Sequence, residues 1–232
     1  MYKTCIRLQI FSICLLYLFF LSACASIEED KSPEEYMEQG TRQMDRGSYE
    51  AASESFQNLK DRYPYSKYAL IAELRMADAL YLSSEYDLAF DAYDEFEKLH
   101  PKDKNIPYVI YQKGMCNFEQ MTTIDREQRH THKAKAEFER LVKRFPDSRY
   151  AERAIPHIRK CFIFLAEHEF YVGHYYYKTA KYQAALARFT YLITNYPDMG
   201  QHYEALEYIR LCREKLVMDG DIPPDETMED PE

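Results

Sequence analysis

Histidine, cysteine and carboxylate side chains are the residues of this chain that could do chemistry, and their spacing limits what that chemistry can be. His157 and Cys161 stand four residues apart on one face of an expected helix. That spacing suits two ligands of a zinc ion, but no second pair at metal-ligand spacing accompanies them. His130 and His132 flank Thr131 in a polar stretch where solvated or capping roles fit better than a metal. Glu34 and Glu35, like Asp94 and Glu95, are sequence neighbours; on a helix they point apart and form no acid/base dyad. There is no GxSxG elbow or HExxH motif. The six glycines, at 40, 47, 114, 173, 200 and 220, never fall into GxGxxG or GxxxxGK, so both nucleotide fingerprints are missing. No catalytic site, metal site or bound cofactor is expected, and the chain does not read as an enzyme.

Cys24 is the cysteine with a different kind of chemistry. Lys3 and Arg7 form a positive start, and residues 8–21 are a mostly apolar run, too short to span about 30 Å of hydrocarbon as a helix. Residues 1–23 therefore read as a secretory signal. Leu21-Ser22-Ala23-Cys24 resembles the lipobox of bacterial lipoproteins, in which cleavage precedes the cysteine and its sulfur carries a diacylglycerol. Ordinary cleavage after Ala25, or an uncleaved anchor, are the competing readings. Cys24 carrying a diacylglycerol and an N-acyl chain would hold the protein on a membrane, at about 0.8 kcal/mol per buried methylene. Ala25 rather than Asp after the cysteine resembles an outer-membrane sorting signal. Residues 24–32 then form a lipidated cysteine and polar tether.

The chain has 232 residues, 46% of them hydrophobic and 30% charged, and a formal net charge of -9. It can bury a core, so wholesale disorder is excluded. Removal of residues 1–23 takes Lys3 and Arg7 and no acid, leaving 28 bases against 39 acids. An acidic protein of this kind is not a general nucleic-acid binder. Cys116, Cys161 and Cys212 remain beyond Cys24, all in helical patterns. They suit helix packing, and a Cys161–Cys212 bridge stays open.

The elements that position these residues come from a repeat. Tyr63-Pro64, His100-Pro101, Phe145-Pro146 and Tyr196-Pro197 each end a run of helical periodicity. Counting back from Pro64 gives Leu59, Phe56, Ala52, Tyr49, Gly40 and Tyr36. The same offsets from Pro101 give Phe96, Tyr93, Ala89, Tyr86, Ala77 and Glu73, and from Pro197 they give Leu192, Phe189, Ala185, Tyr182, Gly173 and Glu169. The copy ending at Pro146 carries Leu141, Phe138 and Ala134, but its Gly114 lies eight residues too early, which places an insertion near residues 121–131. This is tetratricopeptide spacing: a small residue lets one helix approach the next, an aromatic fills the hole, and proline stops the second helix. Ser66 and Ser148 read as N-caps. The pattern predicts an all-α tetratricopeptide superhelix of about ten helices in five repeats, over 33–45, 49–62, 67–82, 86–99, 106–121, 132–144, 149–166, 168–179, 182–195 and 201–217. Pro156 is a candidate kink. Residues 33–104 form the N-terminal repeats, 105–218 the C-terminal repeats, and 219–232 an acidic disordered tail with seven acids and no base.

Stacked repeats present a concave groove. Its expected wall comprises Met37, Thr41, Met44, Ile71, Leu74, Asp78, Tyr81, Tyr108, Tyr111, Met115 and Phe118, a Met- and aromatic-rich surface suited to an extended, aromatic-ended peptide. The same residues also fit ordinary inter-repeat core.

Local segments go beyond the generic repeat. The run from Asn105 to Gly114 (NIPYVIYQKG), Asp125-Arg126-Glu127-Gln128, Leu165-Ala166-Glu167-His168-Glu169 with Tyr175-Tyr176, and Tyr196-Pro197-Asp198 resemble the corresponding segments of the outer-membrane lipoprotein family known as BamD, ComL or YfiO. The resemblance covers nearly all of the chain after Cys24. The acidic tail departs from it by replacing a longer terminal helix, and the insertion after Gly114 is shorter than in some members. It implies a non-enzymatic scaffold on the periplasmic face of the outer membrane, anchored through Cys24 and belonging to the β-barrel assembly machinery. The C-terminal repeats would bind the barrel-forming subunit BamA, with Arg188 matching the family's contact arginine; a solvated helix arginine is the competing reading of Arg188. The N-terminal repeats would receive unfolded outer-membrane proteins, and other assembly-complex lipoproteins would be further partners. The alternatives are a tetratricopeptide lipoprotein of another envelope machine, such as secretin assembly or peptidoglycan-enzyme coordination, and a lipid-anchored hydrolase.

Overall fold

The computed structural model describes residues 31–221 except Asp198. Cys24, the signal segment, most of the tether and the tail beyond residue 221 lie outside the described residues. Nine helices follow one another within them: α1 (Pro33–Asp45), α2 (Tyr49–Arg62), α3 (Ala69–Leu82), α4 (Tyr86–Leu99), α5 (Ile106–Phe118), α6 (Arg129–Arg144), α7 (Arg149–Lys178), α8 (Tyr182–Asn195) and α9 (His202–Met218). Each packs chiefly on the next, and α5 also touches α7. The described residues are all-helical, as the repeat predicts.

The chain is punctuated by local chemistry. Ser32 opens α1 with a reciprocal cap: its hydroxyl accepts from the Glu35 N–H at 3.2 Å, and the Glu35 carboxylate accepts from the Ser32 N–H at 2.7 Å. Three of the turns inside helix pairs are built alike. Gly47, Ser84 and Ala180 all adopt positive φ, at 74°, 66° and 56°. The N–H of the following residue then reaches back to Gln43, Leu80 or Tyr176 at 2.9 to 3.0 Å, which closes the preceding helix. At the far end of each pair, Tyr63, His100, Phe145 and Tyr196 precede proline with φ between -125° and -137° and ψ between 51° and 59°, outside the helical region that proline disfavours for its predecessor.

Packing within the pairs follows the small-residue rule. A Cβ placed on Gly40 would lie 2.5 Å from the Phe56 ring, and one on Gly173 would lie 2.8 Å from Phe189. Gly114 meets Phe138 in the same way. In the second pair Ala77 takes the glycine position and Tyr93 the ring position, both fully buried. The rings extend into separate core clusters: one under α1 to α3 around Phe56 and Leu59, a central one around Tyr93, Phe96 and Phe138, and one between α8 and α9 around Phe189 and Ile209.

Three expectations are corrected. The segments 149–166 and 168–179 are one 30-residue helix, so the described residues hold nine helices rather than ten. The junction Leu165-Ala166-Glu167-His168 contains no helix breaker, and Leu165 and Ala166 are buried, so the helix runs through. Pro156 lies within this helix. Ser66 is not an N-cap: its hydroxyl accepts from the Tyr68 N–H at 3.3 Å in the turn before α3, which starts only at Ala69. Finally, α5 ends at Phe118 and α6 begins at Arg129, three residues either side of the expected bounds. Gln128 anchors the loop between them, donating to the carbonyls of Thr123 and Arg126 while its own carbonyl accepts from Thr131. Ser148 does cap α7, accepting from the Tyr150 N–H at 3.2 Å.

Candidate protein-binding surface

The expected groove residues fall into three groups. On α1, Met37 and Met44 are half-buried against the first core cluster. Thr41 is exposed and donates its hydroxyl to the Met37 carbonyl at 2.8 Å. Met37 and Thr41, with Glu34, Glu38, Arg42 and Tyr68, line a cleft of about 280 Å³. On α3, Ile71 is exposed and Leu74 is packed against the central cluster.

Asp78 has a structural role. One carboxylate oxygen accepts from the Tyr93 hydroxyl at 2.7 Å and from the Tyr108 hydroxyl at 2.6 Å. Three helices, α3, α4 and α5, are thereby tied at one atom. Burial pushes the Asp78 carboxyl above its ordinary range, against the pull of the two hydroxyls and Arg75. Tyr81 sits beside it, edge-on to Tyr86 with ring centroids 5.5 Å apart, and its hydroxyl approaches Glu119 at 3.5 Å.

The third group forms an aromatic wall between α5 and α7. Tyr108 and Tyr111 pack on Tyr150 at 5.4 and 5.8 Å between centroids. Phe118 meets His157 edge-on at 4.6 Å, and His157 stacks on Phe138 at 5.3 Å. The Tyr111 hydroxyl and His157 Nε2 share a hydrogen bond of 3.2 Å. Burial, and then the nearby Lys160, lower the His157 pKa, so the ring is neutral near pH 7. Met115 packs against the central cluster behind this wall. The structure therefore gathers Tyr108, Tyr111 and Phe118 into one surface and leaves the α1 residues in a separate cleft.

Arg188 lies on α8, partly exposed, with Nη1 3.0 Å from a Glu169 carboxylate oxygen on α7. Glu169 is the more buried partner, at 12% exposure against 44% for Arg188. The pair pins α8 to α7 and presents the rest of the guanidinium to solvent.

A second polar feature organises the middle of the chain. Lys113, almost fully buried, donates to Asp94 at 2.5 Å and to Glu97 at 3.2 Å. Arg140 grips Glu97 with two bonds of 2.6 and 2.8 Å, and Arg144 adds a third at 3.0 Å. Burial works upward on Asp94 and Glu97, but hydrogen bonds from Lys113 and Lys98 to the first, and from Arg140 to the second, hold both carboxyls below their usual range. This network joins α4, α5 and α6.

The residues with metal or redox potential are spent on packing. Cys161 is fully buried and its thiol is pushed up to about 12, chiefly by burial; His157 faces the aromatic wall. Among the described residues no group of three or more His, Cys, Asp and Glu could hold a metal ion. Cys116, Cys161 and Cys212 are free thiols, and the last two sit in different clusters. His130 bonds the Asn117 side chain through Nδ1 at 3.3 Å. No described helix is long and apolar enough to cross a membrane.

Half of the aromatic wall was missed in the sequence: Tyr150, Arg153, His157 and Lys160 on α7. Their spacing of i, i+3, i+7 and i+10 marks one helix face and could have found them.

The chain is similar to known proteins over the whole described solenoid. The profile of the YfiO family, described as outer membrane lipoprotein, matches residues 29–222. The outer membrane protein assembly factor BamD of Neisseria meningitidis serogroup B is 30% identical over 215 residues, covering 84% of this chain and 80% of the relative. The protein of that name from Pasteurella multocida is 28% identical over 222 residues, covering 90% and 85%. The crystal structure of MamA protein covers 84% of this chain and 85% of its own at 15% identity and a TM-score of 0.39. With its repeat solenoid and a family match that starts before α1 and ends after α9, the chain belongs to the YfiO family of outer membrane lipoproteins, the family of BamD.

Proposed function

We propose that this protein is a lipid-anchored scaffold of outer-membrane protein assembly. The observation that carries the reading is the family match over residues 29–222, which spans every described helix. Acyl chains on Cys24 attach it to the outer membrane, and the solenoid works on the periplasmic face. The C-terminal repeats bind a BamA-type barrel-forming subunit. There Arg188, held at its base by Glu169, offers its free guanidinium edge to a carboxylate of the partner. Other lipoproteins of the complex dock on the same scaffold. Unfolded outer-membrane proteins meet the N-terminal and central repeats, where the α1 cleft and the α5 wall offer methionine and tyrosine surfaces that adapt to varied sequences. The protein contributes binding and orientation and no bond-making step.

The test is a mild-detergent pull-down from membranes with a tag placed after Glu232, alongside a Cys24→Ala version. Recovery of a barrel protein with periplasmic repeat domains, retained when the lipid is lost, supports the scaffold and places the contact in the helices. A secretin or a cell-wall enzyme in its place moves the protein to another envelope machine.

A further inference from the structure

The chain is acidic overall, yet residues 140–160 carry seven Lys and Arg against two acids. Two of these cations, Arg140 and Arg144, are consumed by Glu97 and Glu137. Arg149, Arg153 and Lys160 are exposed on α7 and enter no ion pair among the described residues. They are held by aromatic rings instead. Arg149 lies 4.8 Å and Arg153 5.9 Å from the centre of Tyr150, and Lys160 lies 5.1 Å from that of Phe118. Burial raises the pKa of the Tyr111 hydroxyl, and the nearby Arg153 pulls against that rise. These cations therefore border the α5–α7 wall, and Arg153 and Lys160, seven residues apart, are separated by about 10 Å along the helix axis.

We propose that this wall is a docking surface for acidic, aromatic-bearing segments of unfolded polypeptides. This rests on the scaffold reading above and names the class of client segment that reading leaves open. Charge complementarity identifies the occupant. Elsewhere the acidic surface repels carboxylates, so a short cationic stripe in an otherwise negative protein selects and orients an anionic segment. The rings behind it supply contact area for aromatic side chains. Cations already resting on rings keep their charge accessible while losing little freedom when a carboxylate arrives. Two carboxylates four residues apart share one face of an extended chain and stand about 13 Å apart at about 3.3 Å per residue, a span that the long Arg153 and Lys160 side chains cover, with the residue midway between them, on the same face, over Tyr111 and His157.

The experiment measures fluorescence anisotropy of two labelled twelve-residue peptides with the purified full mature chain. One peptide places Asp or Glu at every fourth residue with Phe or Tyr midway between them and Ser elsewhere, so that acids and rings share one face of the extended chain; in the other Lys replaces every acid. The surface predicts saturable binding of the acidic peptide, weakening with salt, and an affinity loss of about tenfold or more in R153E/K160E. The Lys peptide should bind weakly to the parent and more tightly to that variant. K143E, an exposed charge on α6 outside the wall, serves as the control and should stay within about twofold. Circular dichroism melts of all three proteins should coincide. Equal binding of both peptides, or no change in R153E/K160E with an intact melt, overturns the proposal. A chain ending at residue 221 that binds several-fold more tightly would make the protein's own acidic tail the occupant and overturn the assignment to a partner. Binding to anionic phospholipid vesicles, lost in R153E/K160E, with no peptide binding, would give the stripe to lipid. The barrel-protein pull-down is repeated with R153E/K160E. Barrel-protein recovery with no peptide binding refutes only this surface, whereas peptide binding without barrel protein refutes the scaffold reading and keeps the surface.

Discussion

The contact between Gly40 and Phe56 tests the repeat register more sharply than any surface residue. In Gly40→Ala the new methyl carbon would sit 2.5, 2.7 and 2.9 Å from three carbons of the Phe56 ring. Ordinary contact begins near 3.4 Å, so the helices must part or the ring must leave a site where it is fully buried. Overpacking of this kind costs about 1–3 kcal/mol. Alanine for glycine inside a helix returns about 1 kcal/mol. The net is a loss of about 1 kcal/mol. The double variant Gly40→Ala/Phe56→Leu separates the two effects. Phe56→Leu alone opens space and destabilises, and the added methyl then fills that space. The cycle should therefore show a favourable coupling of about 1 kcal/mol or more. Urea unfolding followed by far-UV circular dichroism reads all four proteins. Gly47→Ala is the control: nothing lies within 4 Å of its added carbon, and its φ of 74° makes the change costly for backbone reasons alone, without coupling to Phe56. If Gly40→Ala is more stable than the parent by the full helix-propensity gain and shows no coupling to Phe56→Leu, close approach does not set this helix pair and the register is wrong.

Other consequences are quicker to check. Ser84 and Ala180 hold left-handed backbone in turns where Gly47 does so without strain, so Ser84→Gly and Ala180→Gly should each raise stability by about 0.5–1 kcal/mol in thermal melts. Lys113→Ala leaves Asp94, Glu97 and Glu137 facing one another without their buried cation and should cost about 3–5 kcal/mol in urea titrations. Because Asp94 and Glu97 titrate below their unfolded values, their contribution is fully present above the unfolded carboxyl pKa of about 4. It is lost as pH falls through the lower folded values, so the parent should lose stability as pH drops below about 4, and Lys113→Ala should show a shallower loss. Cys116 and Cys161, with thiols pushed up to about 12 by burial, should resist iodoacetamide at pH 8 in the native protein and react on denaturation.

The repeat was legible because its signal is local and periodic. Gly40 and Gly173 face Phe56 and Phe189 in the structure as their offsets from the prolines require, and Gly114 faces Phe138 although the insertion shifts it by eight residues. The continuity of α7 was not legible. The residues from Leu165 to Glu169 suit either a helix or a short break, and the choice falls to buried contacts made by Leu165 and Ala166 with Tyr196. Ser66 looked like a cap because serine after a proline turn often is one, but the turn is longer than local sequence reveals. Asp78 read as a groove carboxylate, and its partners Tyr93 and Tyr108 lie 15 and 30 residues away, a long-range arrangement with no local mark. The wall's second side on α7 was masked by reading His157 and Cys161 as a possible ligand pair, when the same helix turns one to the rings and the other to the core.

The scaffold account stands or falls on whether barrel proteins need this chain. In the native cell, the chain is depleted and the folded fraction of newly made outer-membrane barrel proteins is followed by their heat-modifiable migration on gels. The account predicts that the folded fraction falls while synthesis continues, and that the parental chain restores it. Folded barrel proteins persisting at their normal level through complete depletion would contradict it.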